Sequence, residues 1–173
     1  VGFDYKGEGE YFVNTNYALT EKPKDGGGDR LRLRLSREEV DLIKGLKKAG
    51  KKVVAVLFSG CAILVDEWKE YADAIVMNYY AGCEGGRALA NLLFGAKNFS
   101  GHLPFTVAKK EEDYPSFKYI GDKPYEITYG YYHGYTLLDK EGKDAAYPFG
   151  YGKSYTDFAL EGVEVSRDSD GVL

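Results

Sequence analysis

Two glutamates in one glycine-rich string are suited to acid–base chemistry: Glu8 and Glu10, within Gly7-Glu8-Gly9-Glu10-Tyr11-Phe12. A carboxyl group that donates a proton near neutral pH must be kept protonated, which takes burial or a neighbouring negative charge. The string follows Val1–Phe3, which reads as a strand end, the place where sites of open α/β sheets gather. Its glycines permit a sharp approach towards another domain. From spacing alone, two solvated loop acids are the commoner outcome. The other chemical candidates are weaker. His102 and His133 have no triad partner at readable spacing and read as structural. Gly26-Gly27-Gly28-Asp29 and Gly82-Cys83-Glu84-Gly85-Gly86 could be taken for anion-binding loops, but neither has the dinucleotide fingerprint or the Lys-Ser/Thr of a phosphate loop. Glu84 reads instead as a complement to the positive end of its own helix. Cys61 and Cys83 form no disulfide framework and no metal-ligand pattern, so neither metal nor cofactor is expected.

The bulk composition narrows the class further. A chain of 173 residues, 44% hydrophobic and 29% charged, has room for one domain with a real core. A formal net charge of -4 forces no cationic face, which argues against a nucleic-acid partner. The 16 tyrosines and 9 phenylalanines suit either sugar-binding clefts, where rings stack and hydroxyls hydrogen-bond, or a packing interface. The best apolar run, Val53 to Phe58, has the length of a buried strand, so no membrane span is expected. The chain starts at Val1, without Met, and reads as cut from something larger. Location therefore stays open, with the cytoplasm slightly favoured over secretion, and a homo-oligomer is compatible with the sequence.

The candidate residues must be positioned by an α/β frame. Asp4 to Gly28 reads as a polar loop too long for a simple connection. Asp29 to Leu35 alternates polar and apolar residues, as a half-exposed strand or an extended lead-in to a helix. Ser36-Arg37-Glu38-Glu39 is a capping box opening a helix to about Ala49, closed by Gly50. Val53 to Phe58 reads as a buried parallel strand. A helix over roughly Ala62 to Tyr71, a second buried strand at Ala74–Met77 and a third helix from about Glu84 to Phe94 follow. Such strand–helix alternation predicts a mostly parallel sheet flanked by helices. Beyond Lys97 the chain reads as loops, ending in strand-like Phe158–Leu160 and Val163–Val165.

With these elements placed, five strings in order carry a resemblance: Val54 to Leu57 with Ser59-Gly60; Ala72-Asp73-Ala74-Ile75; Gly82 to Gly86 with Ala88-Leu89-Ala90 and Leu93-Phe94-Gly95; Ser100-Gly101-His102-Leu103-Pro104-Phe105-Thr106; and Phe149-Gly150-Tyr151-Gly152-Lys153-Ser154-Tyr155-Thr156. Together they resemble the C-terminal α/β sandwich domain of glycoside hydrolase family 3. The resemblance implies residues 1–155 as that domain, lacking its first strands, and 156–173 as a linker plus the first strand of a fibronectin-III-like domain. It implies a fragment of a retaining β-glycosidase, β-glucosidase-like, acting on a β-glucoside or oligosaccharide. A separate β/α barrel of the same enzyme would carry the aspartate nucleophile, so the isolated chain should be inactive. A non-catalytic scaffold or carbohydrate-binding domain is the alternative.

Retaining hydrolysis uses two carboxyls about 5–5.5 Å apart, a nucleophile and an acid that later serves as base. The resemblance aligns Gly9-Glu10 and Phe12 with the acid/base loop and selects Glu10, with Glu8, also preceded by glycine, as runner-up. Tyr11 stands where the family usually has a glycine. Phe12 and Tyr11 become candidate walls of the aglycone subsite, and packing against a partner domain is an equal reading. Asp29-Arg30 matches a pair that anchors the return of this loop, where Arg30 could hold a carboxylate bidentately.

Overall fold

The computed structural model describes residues 1–3, 32–115, 130–162 and 164–167. Its centre is a parallel pair, β1 (Val54–Leu57) and β2 (Ala74–Met77), in register Val54 to Ala74 through Leu57 to Met77. Val1–Phe3 adds to the other side of β1: Phe3 N donates to the Phe58 carbonyl (2.9 Å) and Phe58 N to the Val1 carbonyl (3.0 Å). The strand end read at Val1–Phe3 is therefore present, as a parallel bridge between Gly2 and Phe58. The fold is α/β, a mostly parallel sheet flanked by helices.

Helix α1 (Arg37–Lys48) starts where its capping box requires. Ser36 Oγ accepts from Glu39 N, and a Glu39 carboxylate oxygen accepts from Ser36 N, satisfying two otherwise orphaned donors. Val40 and Ile43 are its buried residues. They join Val53, Ala55, Leu57, Ile63, Val65 and Trp68 in the core. Alternate residues of β1 point inward, while Val54 is half exposed, so the described residues cover one face of this strand. Helix α2 (Gly85–Leu93) buries only Gly85.

The expected helix over Ala62–Tyr71 does not form. Ala62, Ile63, Leu64 and Val65 are all buried and run extended, with Leu64 N donating to the Leu33 carbonyl (2.8 Å) and Arg34 bridged in parallel to Leu64. Four consecutive buried residues, two of them β-branched, suit a strand enclosed on both faces better than a helix, which would turn part of its surface outward. Only a single 3₁₀ turn, Lys69–Tyr71, remains. Trp68, 1% exposed, plugs the core beneath it and donates its indole N–H to the Leu64 carbonyl (3.2 Å).

A short helix, α3 (Tyr135–Glu141), occupies the stretch read as loop. Glycines in left-handed or otherwise positive-φ conformations, Gly134 and Gly142, bound it. Residues 98–107 and 147–156 interlock. Leu103 N donates to Tyr151 O and Gly150 N to Leu103 O (both 2.8 Å), and Val107 exchanges backbone bonds with Tyr147. Asn98 Oδ1 accepts from Ser154 Oγ and Tyr155 N, each at 2.9 Å. His102 Nδ1 donates to the Gly150 carbonyl (2.7 Å), and a Cβ on Gly152 would lie 2.5 Å from the Gly101 carbonyl oxygen. These two motifs thus hold one another. The strand read near 158–165 is absent among the described residues there, where Phe158 and Leu160 are exposed and nothing described runs beside them to complete a ladder. No described helix is long and apolar enough to cross a membrane.

Asp73 ties the sheet's other end. Its carboxylate accepts from Lys47 Nζ (2.8 Å) and from Val53 N (2.8 Å). The hydrogen bond from Lys47, then that from Val53, pulls its pKa from 3.8 down to about 2. Because the folded value lies below the unfolded one, the stabilisation is complete above the ordinary carboxylate range and is lost as pH falls towards about 2. Asp73→Asn is therefore expected to lower the thermal midpoint at pH 6 and to converge with wild type as the melts are repeated from pH 4 towards pH 2. Trp68→Ala, which empties the core position, should cost about 3–5 kcal/mol in urea denaturation.

Candidate functional site

In a parallel sheet every strand delivers its following loop to the same edge, and sites gather there. At this edge lie Phe3, the turn Phe58-Ser59-Gly60 after β1 and Asn78-Tyr79-Tyr80 after β2. The pairing of Gly2 with Phe58 is unusually close. Gly2 has φ +143°, and a Cβ there would lie 2.1 Å from the Phe58 carbonyl oxygen, so only glycine fits. Ser59 is fully buried and its Oγ accepts from Cys61 N (3.1 Å), which shapes the turn. Asn78 N donates to Leu57 O (2.9 Å), carrying the ladder one residue past β2.

Tyr79 is the described non-glycine residue with positive φ, 53°, a conformation that costs a side chain of this size about 1–3 kcal/mol. Its ring meets Phe105 edge-on at 6.2 Å between centroids. Its hydroxyl is buried with no hydrogen-bond partner among the described residues, and burial pushes its pKa upward. Tyr80 beside it is 58% exposed, and its ring passes close enough to Gly60 that a Cβ there would sit 3.3 Å from it. The edge therefore presents aromatic surface to whatever lies over it. Nothing in the residue pattern marks Tyr79, because its positive φ is imposed by the turn after β2 and not by its own type.

The sequence-derived candidates Glu8, Glu10, Tyr11, Phe12, Asp29 and Arg30 lie outside the described residues. What is described are the supports on either side of them. Phe3, immediately before the stretch, is held by β1. Arg32 to Leu35, immediately after it, is held by the Leu33–Leu64 bond and by Glu111, whose Oε1 accepts from Leu33 N (2.9 Å). Other described acids face cations: Asp66 with Lys69, Glu84 with Arg87, Asp113 with Lys143, Asp144 with Lys109. Glu84 occupies the N-cap of α2 without a side-chain capping bond and engages Arg87 instead. Gly85 is required by packing, since a Cβ there would meet Ala81 Cβ at 2.8 Å, not by an anion. Among the described residues no cluster of three metal-ligating side chains occurs.

The described residues thus form a parallel α/β layer with aromatic side chains at the C-terminal edge of its strands. Residues 6–155 match the glycosyl hydrolase family 3 C-terminal domain. The chain belongs to that family. It is 39% identical over 147 residues to a xylan 1,4-beta-xylosidase of Xylanibacter ruminicola, covering 85% of this chain and 16% of that protein. It is 34% identical over 151 residues to an exo-alpha-(1->6)-L-arabinopyranosidase of Bifidobacterium longum, covering 86% and 20%. The structure of beta-glucosidase 3B from Thermotoga neapolitana in complex with glycerol superposes with a TM-score of 0.67 at 37% identity, over 79% of this chain and 20% of that one. The chain thus spans about a fifth or less of these relatives' length.

Tyr79 generates a direct expectation. A buried hydroxyl without a partner costs about 1–3 kcal/mol, so Tyr79→Phe should raise the urea midpoint of the chain. A fall would mean that the hydroxyl is hydrogen-bonded.

Proposed function

We propose that this domain delivers the acid/base glutamate of a retaining β-glycosidase, with β-glucosides as substrate. Glu10 is the acid/base, Glu8 the alternative, and the aspartate nucleophile sits on a β/α barrel of the same enzyme. Phe12 and Tyr11 line the aglycone side, and Asp29-Arg30 anchors the return of the loop. Residues 1–155 form this domain, and 156–173 lead into a fibronectin-III-like one.

The observation carrying this reading is the position of Phe3. It ends a strand paired to β1 at the C-terminal edge of the sheet, one residue before the stretch that holds both glutamates. Phe3 thus hands the chain on at the edge where a covering domain would sit, which suits a mechanism whose two carboxyls come from different domains. The glutamate protonates the departing oxygen, then as carboxylate takes a proton from the water that releases the glycosyl-enzyme. β-Glucosidases, a xylosidase and an arabinopyranosidase all stand among the relatives. Glucoside is preferred here because β-glucosidases recur among the solved neighbours.

In the parent enzyme with its barrel, Glu10→Ala should cut kcat/KM sharply for glycosides with poor leaving groups and far less for activated aryl glycosides, whose turnover then becomes limited by release of the glycosyl-enzyme. Azide should restore turnover of the activated substrates by attacking the glycosyl-enzyme without base assistance. Unchanged turnover would transfer the role to Glu8 if Glu8→Ala shows this pattern. If neither variant does, the domain is a non-catalytic scaffold.

A further inference from the structure

We infer that Glu39 and Glu111 are positioning residues that fix the two ends of the segment bearing Glu8 and Glu10. The inference rests on the acid/base reading above.

On the incoming side, Glu39 divides its carboxylate between two backbones. One oxygen accepts from Ser36 N (3.0 Å) and completes the cap of α1, while Oε1 accepts from Gly2 N (2.9 Å). Gly2 is the residue pressed against Phe58, and Phe3 follows it. One half-buried side chain thus joins the start of α1 to the strand end that launches the segment. On the outgoing side, Glu111 Oε1 accepts from Leu33 N (2.9 Å) and lies 3.7 Å from Arg34 Nε. Glu111 begins a 3₁₀ turn remote in sequence, so this bond is a purely tertiary tie. Hydrogen bonds from backbone amides to a carboxylate are charge-assisted and stronger than neutral ones.

The arrangement is symmetrical in purpose. Each end of the segment has one backbone tie to a strand, Phe3 to Phe58 and Leu33 to Leu64, and one carboxylate tie from outside the sheet. Two ties at each end fix direction as well as position. Proton donation to a leaving oxygen tolerates little misplacement, and an error of about 1 Å can cost as much as a hundredfold in rate.

The test uses the full parent enzyme, with active sites counted by a 2-deoxy-2-fluoro glucoside that traps the nucleophile. For Glu39→Ala, Glu39→Gln, Glu111→Ala and Glu111→Gln, kcat/KM per active site is measured on 2,4-dinitrophenyl β-glucoside and on phenyl β-glucoside. The first needs no acid to lose its aglycone and the second does. The alanine variants should lose roughly tenfold on phenyl glucoside and stay within about twofold on the dinitrophenyl substrate. The glutamine variants, which keep one acceptor oxygen, should recover part of the loss. Ser36→Ala, which weakens the α1 cap without touching Gly2, should leave the ratio of the two substrates unchanged. Equal losses on both substrates, or a ratio that moves as far in Ser36→Ala, would overturn the inference. If the ratio responds to Glu10→Ala or Glu8→Ala but not to the clamp variants, only this inference falls. If it responds to none of them, the acid/base reading itself falls, and this inference with it.

Discussion

The backbone of β1 is the constraint from which the described architecture follows. It is hydrogen-bonded on both flanks, to β2 through its whole length and to Val1–Phe3 at its end. Backbone amides and carbonyls buried in this way must all find partners, so the two neighbours of β1 cannot slip without leaving polar groups unpaired. The close approach of Gly2 to Phe58 tightens the same joint, because any side chain at Gly2 would push the flanking strand away. Helix α1 then packs Val40 and Ile43 over the inner residues of β1, and Trp68 fills the space beside them.

That frame also holds the described residues on either side of 4–31, which are tied to the sheet backbone and to carboxylates from other elements. Loops that carry function are commonly mounted on rigid supports in this manner. The cost of strain falls on the same edge. Tyr79 holds a backbone conformation unfavourable for its type and a hydroxyl without a partner among the described residues, and strained backbones of this kind cluster at functional edges. The exposed aromatic and apolar residues, Tyr80, Phe94, Tyr131 and Phe149 among them, belong to a domain that forms a minor share of its relatives' length.

Local signals were legible where local physics decides. The capping box placed α1 because Ser36 and Glu39 satisfy the first amides whatever the rest of the chain does. Ala74–Met77 was readable as a strand with its observed bounds, and the histidine His102 is structural, as its lack of a triad partner suggested. Over Ala62–Tyr71 the local pattern does not decide, because the short apolar run Ala62–Val65 fits a helix or a doubly buried strand equally. The choice was made by Leu33, distant in sequence, which takes the Leu64 amide into a ladder. Helix α3 was missed since it buries only Leu138 and so shows little amphipathic period.

By itself the sequence determined the family and the fold class, through ordered motifs whose glycines and small residues answer to close packing, as Gly85 and Gly152 do. It also nominated Glu10 and Glu8, from a string of glycines, glutamates and aromatics. Tertiary structure alone decided that Gly2 is pressed against Phe58, that Glu39 holds Gly2 with the oxygen its cap leaves over, and that Glu111 reaches Leu33. Those contacts join residues 37 and 78 positions apart. No periodicity or propensity encodes a bond of that span, because it exists only once the sheet and helix have brought both backbones to one place.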